Sequence, residues 1–216
     1  MKIDEVEKWR PFTDAEGNTW DLSFLDAHEV IYTHRCEGKA DKVYKFIVSY
    51  SFHCFCKDYP EQSEEEKRAL MYHSPKESRP FCKNRYGLAQ RYLKDMILSL
   101  DRQRIIHAGY GSYAVIEALN DEGERCYYHV PFKAFRERKK LRIHVTSAYA
   151  VDAKPGGGKV GFFVIASKLL AGKPLPHPRN NKTHLKVGFA RKNSGIQKRL
   201  YRTWPDQLAL VAGCLG

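Results

Sequence analysis

Polar and apolar residues alternate through much of the chain. In residues 42–56, Tyr44, Phe46, Val48, Tyr50, Phe52 and Cys54 fall on one side, with Lys45, Ile47, Ser49, Ser51 and His53 on the other. That period of two predicts a half-buried strand running through "KVYKFIVSYSFHCFC". A second strand, "HEVIYTH", precedes it across the polar turn "RCEGKADK", and "LSFLDA" reads as a short helix. Residues 57–80 are charged and bounded by Pro60 and Pro80, which predicts an exposed loop carrying one short helix. The spacing then changes. Tyr86, Ala89, Tyr92, Leu93, Met96, Ile97 and Leu100 recur every three or four residues, predicting an amphipathic helix over about 84–100. From 104 onward strand patterns dominate: "RIIHAG", "SYAVIEAL", "ERCYYHVPFKAF", "KKLRIHVTSAYAV", "KVGFFVIASKLL" and "HLKVGFA". "WPDQLALVAGCL" reads as a closing helix with Pro205 in its first turn. Strands, a helix and then a strand meander argue for an α+β fold with a mainly antiparallel sheet. The expected organisation is one domain over 1–178 and a basic extension over 179–216.

The stretch "KKLRIHVTSAY" sorts into an apolar face (Leu141, Ile143, Val145, Ser147) and a polar face (Lys140, Arg142, His144, Thr146). The preceding strand, "RCYYHVPF", likewise opposes Cys126, Tyr128, Val130 and Phe132 to Arg125, Tyr127 and His129. A hairpin through "AFRERKK" would set His129 opposite His144, Arg142 or Thr146, all on one face. Two imidazoles, a guanidinium, a hydroxyl and the phenol of Tyr127 suit metal-independent RNA cleavage. That reaction needs a base for the 2′-hydroxyl proton, an acid for the leaving oxygen and fixed positive charge on the phosphorane. Histidine can fill either proton-transfer role, and arginine grips phosphate with two parallel hydrogen bonds. The plain alternative is a wetted strand face with no chemistry.

Composition adds a direction. The 216 residues carry a net charge of +12, and between Asp152 and Asp206 there is no acidic residue against twelve basic ones (Lys154, Lys159, Lys168, Lys173, Arg179, Lys182, Lys186, Arg191, Lys192, Lys198, Arg199, Arg202). Outside that interval 37 − 12 = 25 basic residues balance 25 acidic ones. Such a block is the footprint of a phosphate-rich partner, RNA in preference to DNA. Arg191, Lys192, Lys198, Arg199 and Arg202 are the expected contacts there. Arg79, Lys83 and Arg85 gather at the mouth of the main helix, whose amides also favour anions. No apolar run is long enough to span a membrane and no signal peptide is evident, so the expectation is a cytoplasmic protein without a membrane partner.

Six cysteines without an export signal read as reduced thiols. Cys54 and Cys56 are one residue apart, not at the spacing of ordinary zinc sites, and with Cys82 they read as core residues; no metal or cofactor is expected. "KPGGGKV" lacks the spacing of a nucleotide loop and a following helix, and reads as a turn.

"RPFCKNRYGLAQRYL", "YYHVPF", "LRIHVTSAYAVD" and "FFVIASKLLAGKPLPHP" together resemble a bacterial family known as stationary phase growth adaptation protein, over roughly residues 44–178. The resemblance implies a physiological setting and no chemistry. A looser likeness, of fold only, is to toxin-type ribonucleases of the barnase, colicin and RelE group, which implies a cognate protein inhibitor and transfers no residue. The leading expectation is therefore a metal-independent, toxin-like endoribonuclease using Tyr127, His129, Arg142, His144 and Thr146. The competing classes are a non-catalytic nucleic-acid-binding or regulatory protein and a structural protein of a mobile element.

Overall fold

The computed structural model describes residues 6–74, 77–103, 105–107, 112–119, 125–153 and 156–175; for 112–119, 125 and 126 it describes the backbone. All of these lie in the first of two compact units, Met1–Arg179. Strand "HLKVGFA", the closing helix, the extension and its contacts Arg191, Lys192, Lys198, Arg199 and Arg202 lie outside the described residues.

The strands in chain order are β1 (Phe12–Thr13), β2 (Thr19–Trp20), β3 (His28–His34), β4 (Lys42–Tyr50), β5 (Met71–His73), β6 (Ser78–Pro80), β7 (Ile105–His107), β8 (Ser112–Leu119), β9 (Arg125–Glu137), β10 (Lys140–Val145), β11 (Tyr149–Val151) and β12 (Gly158–Val160). Helix α1 spans Glu64–Ala69, and its Ser63 and Glu66 form a reciprocal capping box. Helix α2 joins an α-helical turn (Lys83–Leu88), a π-helical stretch (Ala89–Leu93) and a second α-helical piece (Lys94–Leu98). Helix α3 spans Phe162–Leu170.

Eight of the described strands form one sheet in the order β12-β7-β8-β9-β10-β4-β3, with β11 also on β9. Every pairing is antiparallel except β10 with β4. This is an α+β architecture with a mostly antiparallel sheet, as the strand patterns imply. One sheet face carries Tyr32, Phe46, Val48, Phe132 and Ile143, all buried. Helices pack on that face: Tyr32 donates its phenol hydrogen bond to the Ile97 carbonyl of α2 at 2.5 Å, and Phe162 of α3 lies 4.4 Å from the Tyr32 ring centroid.

Four expectations are corrected. The strand through "FHCFC" stops at Tyr50, because Ser51 accepts a hydrogen bond from the His53 amide and starts a 3₁₀ turn over Phe52–Cys54. The segment "FFVIASKLL" is a helix, not a strand. Phe162, Ile165, Ala166 and Leu169 bury at helical spacing, and a run this apolar fits either period. A helix therefore does follow "KPGGGKV", although the spacing of a nucleotide loop is still missing. The strand "KKLRIHVTSAYAV" breaks after Val145 and resumes at Tyr149. Register explains the break: Thr146 bonds Pro131, yet Tyr149 already faces His129, so three steps on one side answer two on the other. That is a bulge.

Beneath the bulge, Tyr50 and Tyr128 are buried with phenol oxygens that meet no hydrogen-bond partner. Such a hydroxyl costs roughly 1–3 kcal/mol of desolvation. Tyr50→Phe and Tyr128→Phe should therefore leave the denaturant midpoint unchanged or raise it; a clear drop in either would show a missed partner.

Candidate active site at the ends of the central strands

Because β4 and β10 run parallel, their C-terminal ends emerge side by side, and the Ser51 amide donates to the Val145 carbonyl at 2.9 Å. Ligand sites of open sheets gather where parallel strands end in this way. Segments 51–56 and 146–149 leave together and meet the first turn of α2.

Arg85 of that turn reaches between them. Its Nη1 donates to the His53 carbonyl at 2.7 Å, to Ser147 Oγ at 3.3 Å and to the Cys56 carbonyl at 3.4 Å. Ser147 Oγ in turn donates to the His53 carbonyl at 3.3 Å. The guanidinium carbon lies 5.1 Å from the Tyr149 ring centroid, a cation–π contact. On the same tyrosine, the phenol oxygen stands 3.1 Å from His129 Nδ1, with the two rings edge to face. His53 stacks against Phe52, 4.3 Å between centroids.

Both histidines are half-buried and favour the neutral ring. Burial holds His129 below the ordinary range; His53 is lowered first by burial and then by the charge of Arg79, with Arg85 and Lys57 adding to it and Glu77 opposing. Cys54, directly below, has its thiol pushed up to about 12 by burial, and Cys56 is raised for the same reason. Thiols held protonated in this way are poor nucleophiles and poor metal ligands. Among the described residues no three His, Cys, Asp or Glu side chains converge as a metal site.

The residues singled out from the sequence do not share one cleft. The β9–β10 hairpin turns on two residues, Arg138 and Lys139, instead of seven, so Arg142 faces Phe135 and His144 faces Lys133. His129 lies four residues further along β9, about 13 Å from that level at strand rise. It faces Tyr149 instead. His144 is 8% exposed, and its Nδ1 meets Ser49 Oγ at 3.1 Å, in the row where β10 lies beside β4. Arg142 Nε sits 3.1 Å from Glu137 Oε2. Thr146 spends its hydroxyl proton on the Pro131 carbonyl at 3.0 Å, and Tyr127 lies opposite Val151. Of the three basic residues expected at the helix mouth, Arg79 pairs with Glu77 at 2.7 Å, Lys83 lies over Trp20, and Arg85 alone enters the cluster. Sequence reasoning thus found His129 and Arg85, in separate groups, and placed His53 on a strand face. It passed over Tyr149 and set Ser147 among the apolar positions, because strict alternation skips a bulge.

The strand ends thus bring together a guanidinium, a phenol, the His129 imidazole and the main chain of His53 in one half-buried cluster on an α+β scaffold. The chain belongs to the YjaZ family, whose model matches residues 11–170. It is similar to Protein YjaZ of Escherichia coli (strain K12), with 58% identity over 174 residues that cover 81% of this chain and 97% of that one. No solved structure matches.

Proposed function

We propose that the chain is a metal-independent endoribonuclease working at His53, Arg85, His129 and Tyr149. The observation that carries this reading is the Arg85–Tyr149–His129 chain: a fixed cation, a phenol and a neutral imidazole in consecutive contact. Arg85 has committed Nη1 to the protein, and its Nε and Nη2 face the task of binding a phosphate. Tyr149 takes the proton of the 2′-hydroxyl as its own phenol proton passes to His129 Nδ1. The freed oxygen attacks phosphorus, the bond to the 5′-oxygen breaks, and protonated His53 supplies that oxygen's proton. Products are a 2′,3′-cyclic phosphate and a 5′-hydroxyl, with no net change in protons once the two histidines exchange through water.

The lowered histidines set the pH dependence. His129 must be neutral and His53 protonated, and both titrate below the ordinary value of about 6.5. Cleavage of RNA in the presence of a chelator should therefore follow a bell with its maximum below about pH 6.5. Stability moves with the same groups. A histidine whose folded value is depressed takes up its proton more readily when unfolded, so its contribution is full above about pH 6.5 and is lost as pH falls towards the folded value. Denaturation midpoints should fall across that window, and His53→Asn with His129→Asn should flatten the fall. A cleavage optimum at alkaline pH would overturn the acid–base assignment.

A second reading is a non-catalytic RNA-binding protein. It is favoured by the bonds of Arg85 to two backbone carbonyls of segment 51–56 and to Ser147 Oγ, which tie three segments together as a structural arginine does. RNA bound without turnover at every pH would select it.

A further inference from the structure

The opposite end of the same central strands carries a second concentration of positive charge. There β9 turns into β10 through Arg138 and Lys139, whose φ values are +46° and +67°. Two-residue hairpins of this hand favour asparagine and glycine, since a side chain with a Cβ is strained at positive φ. Two exposed cations hold the strained positions instead, followed by exposed Lys140 and preceded by exposed Glu137, which pairs with Arg142. Lys140 stands one position before the Leu141–Phe46 pair, which sets it beside Lys45 of the neighbouring strand. Like charges on adjacent strands repel. Glu29 offsets Lys45 at 2.7 Å, whereas among the described residues no carboxylate pairs with Lys139 or Lys140. Between the hairpin tip, β4 and the end of α3 lies a groove of about 410 Å³, lined by Lys45, Lys139 and Lys140 with Val43, Ile47 and Leu170, and with Glu29 at the Lys45 side. Val43 and Leu170 are 61% and 51% exposed.

We infer that this end is an RNA-binding exosite: one nucleobase of a single strand rests on the aliphatic floor while neighbouring phosphates lie on Arg138, Lys139 and Lys140. Charge complementarity selects a polyanion. A concave, base-sized groove between the cations favours a flexible strand over a flat anionic bilayer. The strained basic turn fits the same purpose, because strain kept at a surface turn points to function. From Lys140 to Ser147 is about 23 Å at strand rise, a separation that several nucleotides of a single strand can bridge. The exosite shares the RNA reading above but not its catalytic step.

The test uses the full chain, a fluorescent 15-nucleotide single-stranded RNA and anisotropy across a salt series. Arg138→Glu/Lys139→Glu/Lys140→Glu should weaken binding about a hundredfold near 0.1 M salt and flatten the slope of log affinity against log salt by about 2, at roughly 0.7 per phosphate contact. Arg138→Asn/Lys139→Gly separates function from folding: it should weaken binding while raising Tm by about 2–4 °C through relief of the turn. Cleavage of a dinucleotide too short to reach the exosite should be unchanged in both variants. Wild-type RNA affinity in both variants would overturn the inference, as would loss of binding to phosphatidylglycerol vesicles with RNA binding intact. Lost affinity in both variants, together with a wild-type chain that never cleaves RNA, would uphold the exosite and reject the catalytic reading.

Discussion

His129→Ala is expected to slow RNA cleavage by about a hundredfold to ten-thousandfold, the usual worth of a positioned acid or base. Tyr149→Phe should cost a similar factor, because the phenol and the imidazole act as one relay across 3.1 Å. The double variant should then be little worse than either single one, since groups that work as a unit lose their effect once. Single-turnover rates at saturating RNA, with circular dichroism to confirm the fold, would measure this. Additive losses would show that the two residues act independently. Cleavage at the wild-type rate in His129→Ala would remove His129 from the mechanism.

Ile143→Ala should destabilise the chain by about 2–5 kcal/mol. Ile143 is fully buried between Val48 on β4 and Ala134 on β9, so truncation loses both transfer energy and packing. Its neighbour behaves differently from what a wetted polar face implies. His144 is buried against Ser49 in the row beside it, and His144→Ala should cost about 1–3 kcal/mol through the lost buried hydrogen bond. Chemical denaturation of both variants would check the pair. A His144→Ala chain as stable as the parent would mean that the Ser49 contact contributes nothing.

Local pattern was enough for most elements. "HEVIYTH" is β3 residue for residue, and the spacing of Tyr86, Leu93, Met96 and Ile97 marks the three consecutive helical pieces of α2. Alternation also sorted Leu141, Ile143 and Val145 into the core. It failed at "FFVIASKLL", where all positions but Ser167 and Lys168 are apolar and serve either period, and at Ser51 and Thr146, where the strands end in a 3₁₀ turn and a bulge.

By itself the sequence determined the apolar face that most strands and the main helix bury, because that depends on the order of side chains along a few turns or pleats; it did not show that Ser49 and His144 are buried as well. It also placed the positive charge, which is a matter of counting. Tertiary structure alone decided which polar residues meet. A hairpin of two residues in place of seven slides β9 past β10 and parts His129 from His144. The bulge at 146–148 then turns Tyr149 to His129, and the parallel pairing of β4 with β10 brings His53 and Arg85 to the same edge. Register, bulges and non-local pairing are set by the sum of contacts across the whole sheet, and no single stretch of residues carries that sum.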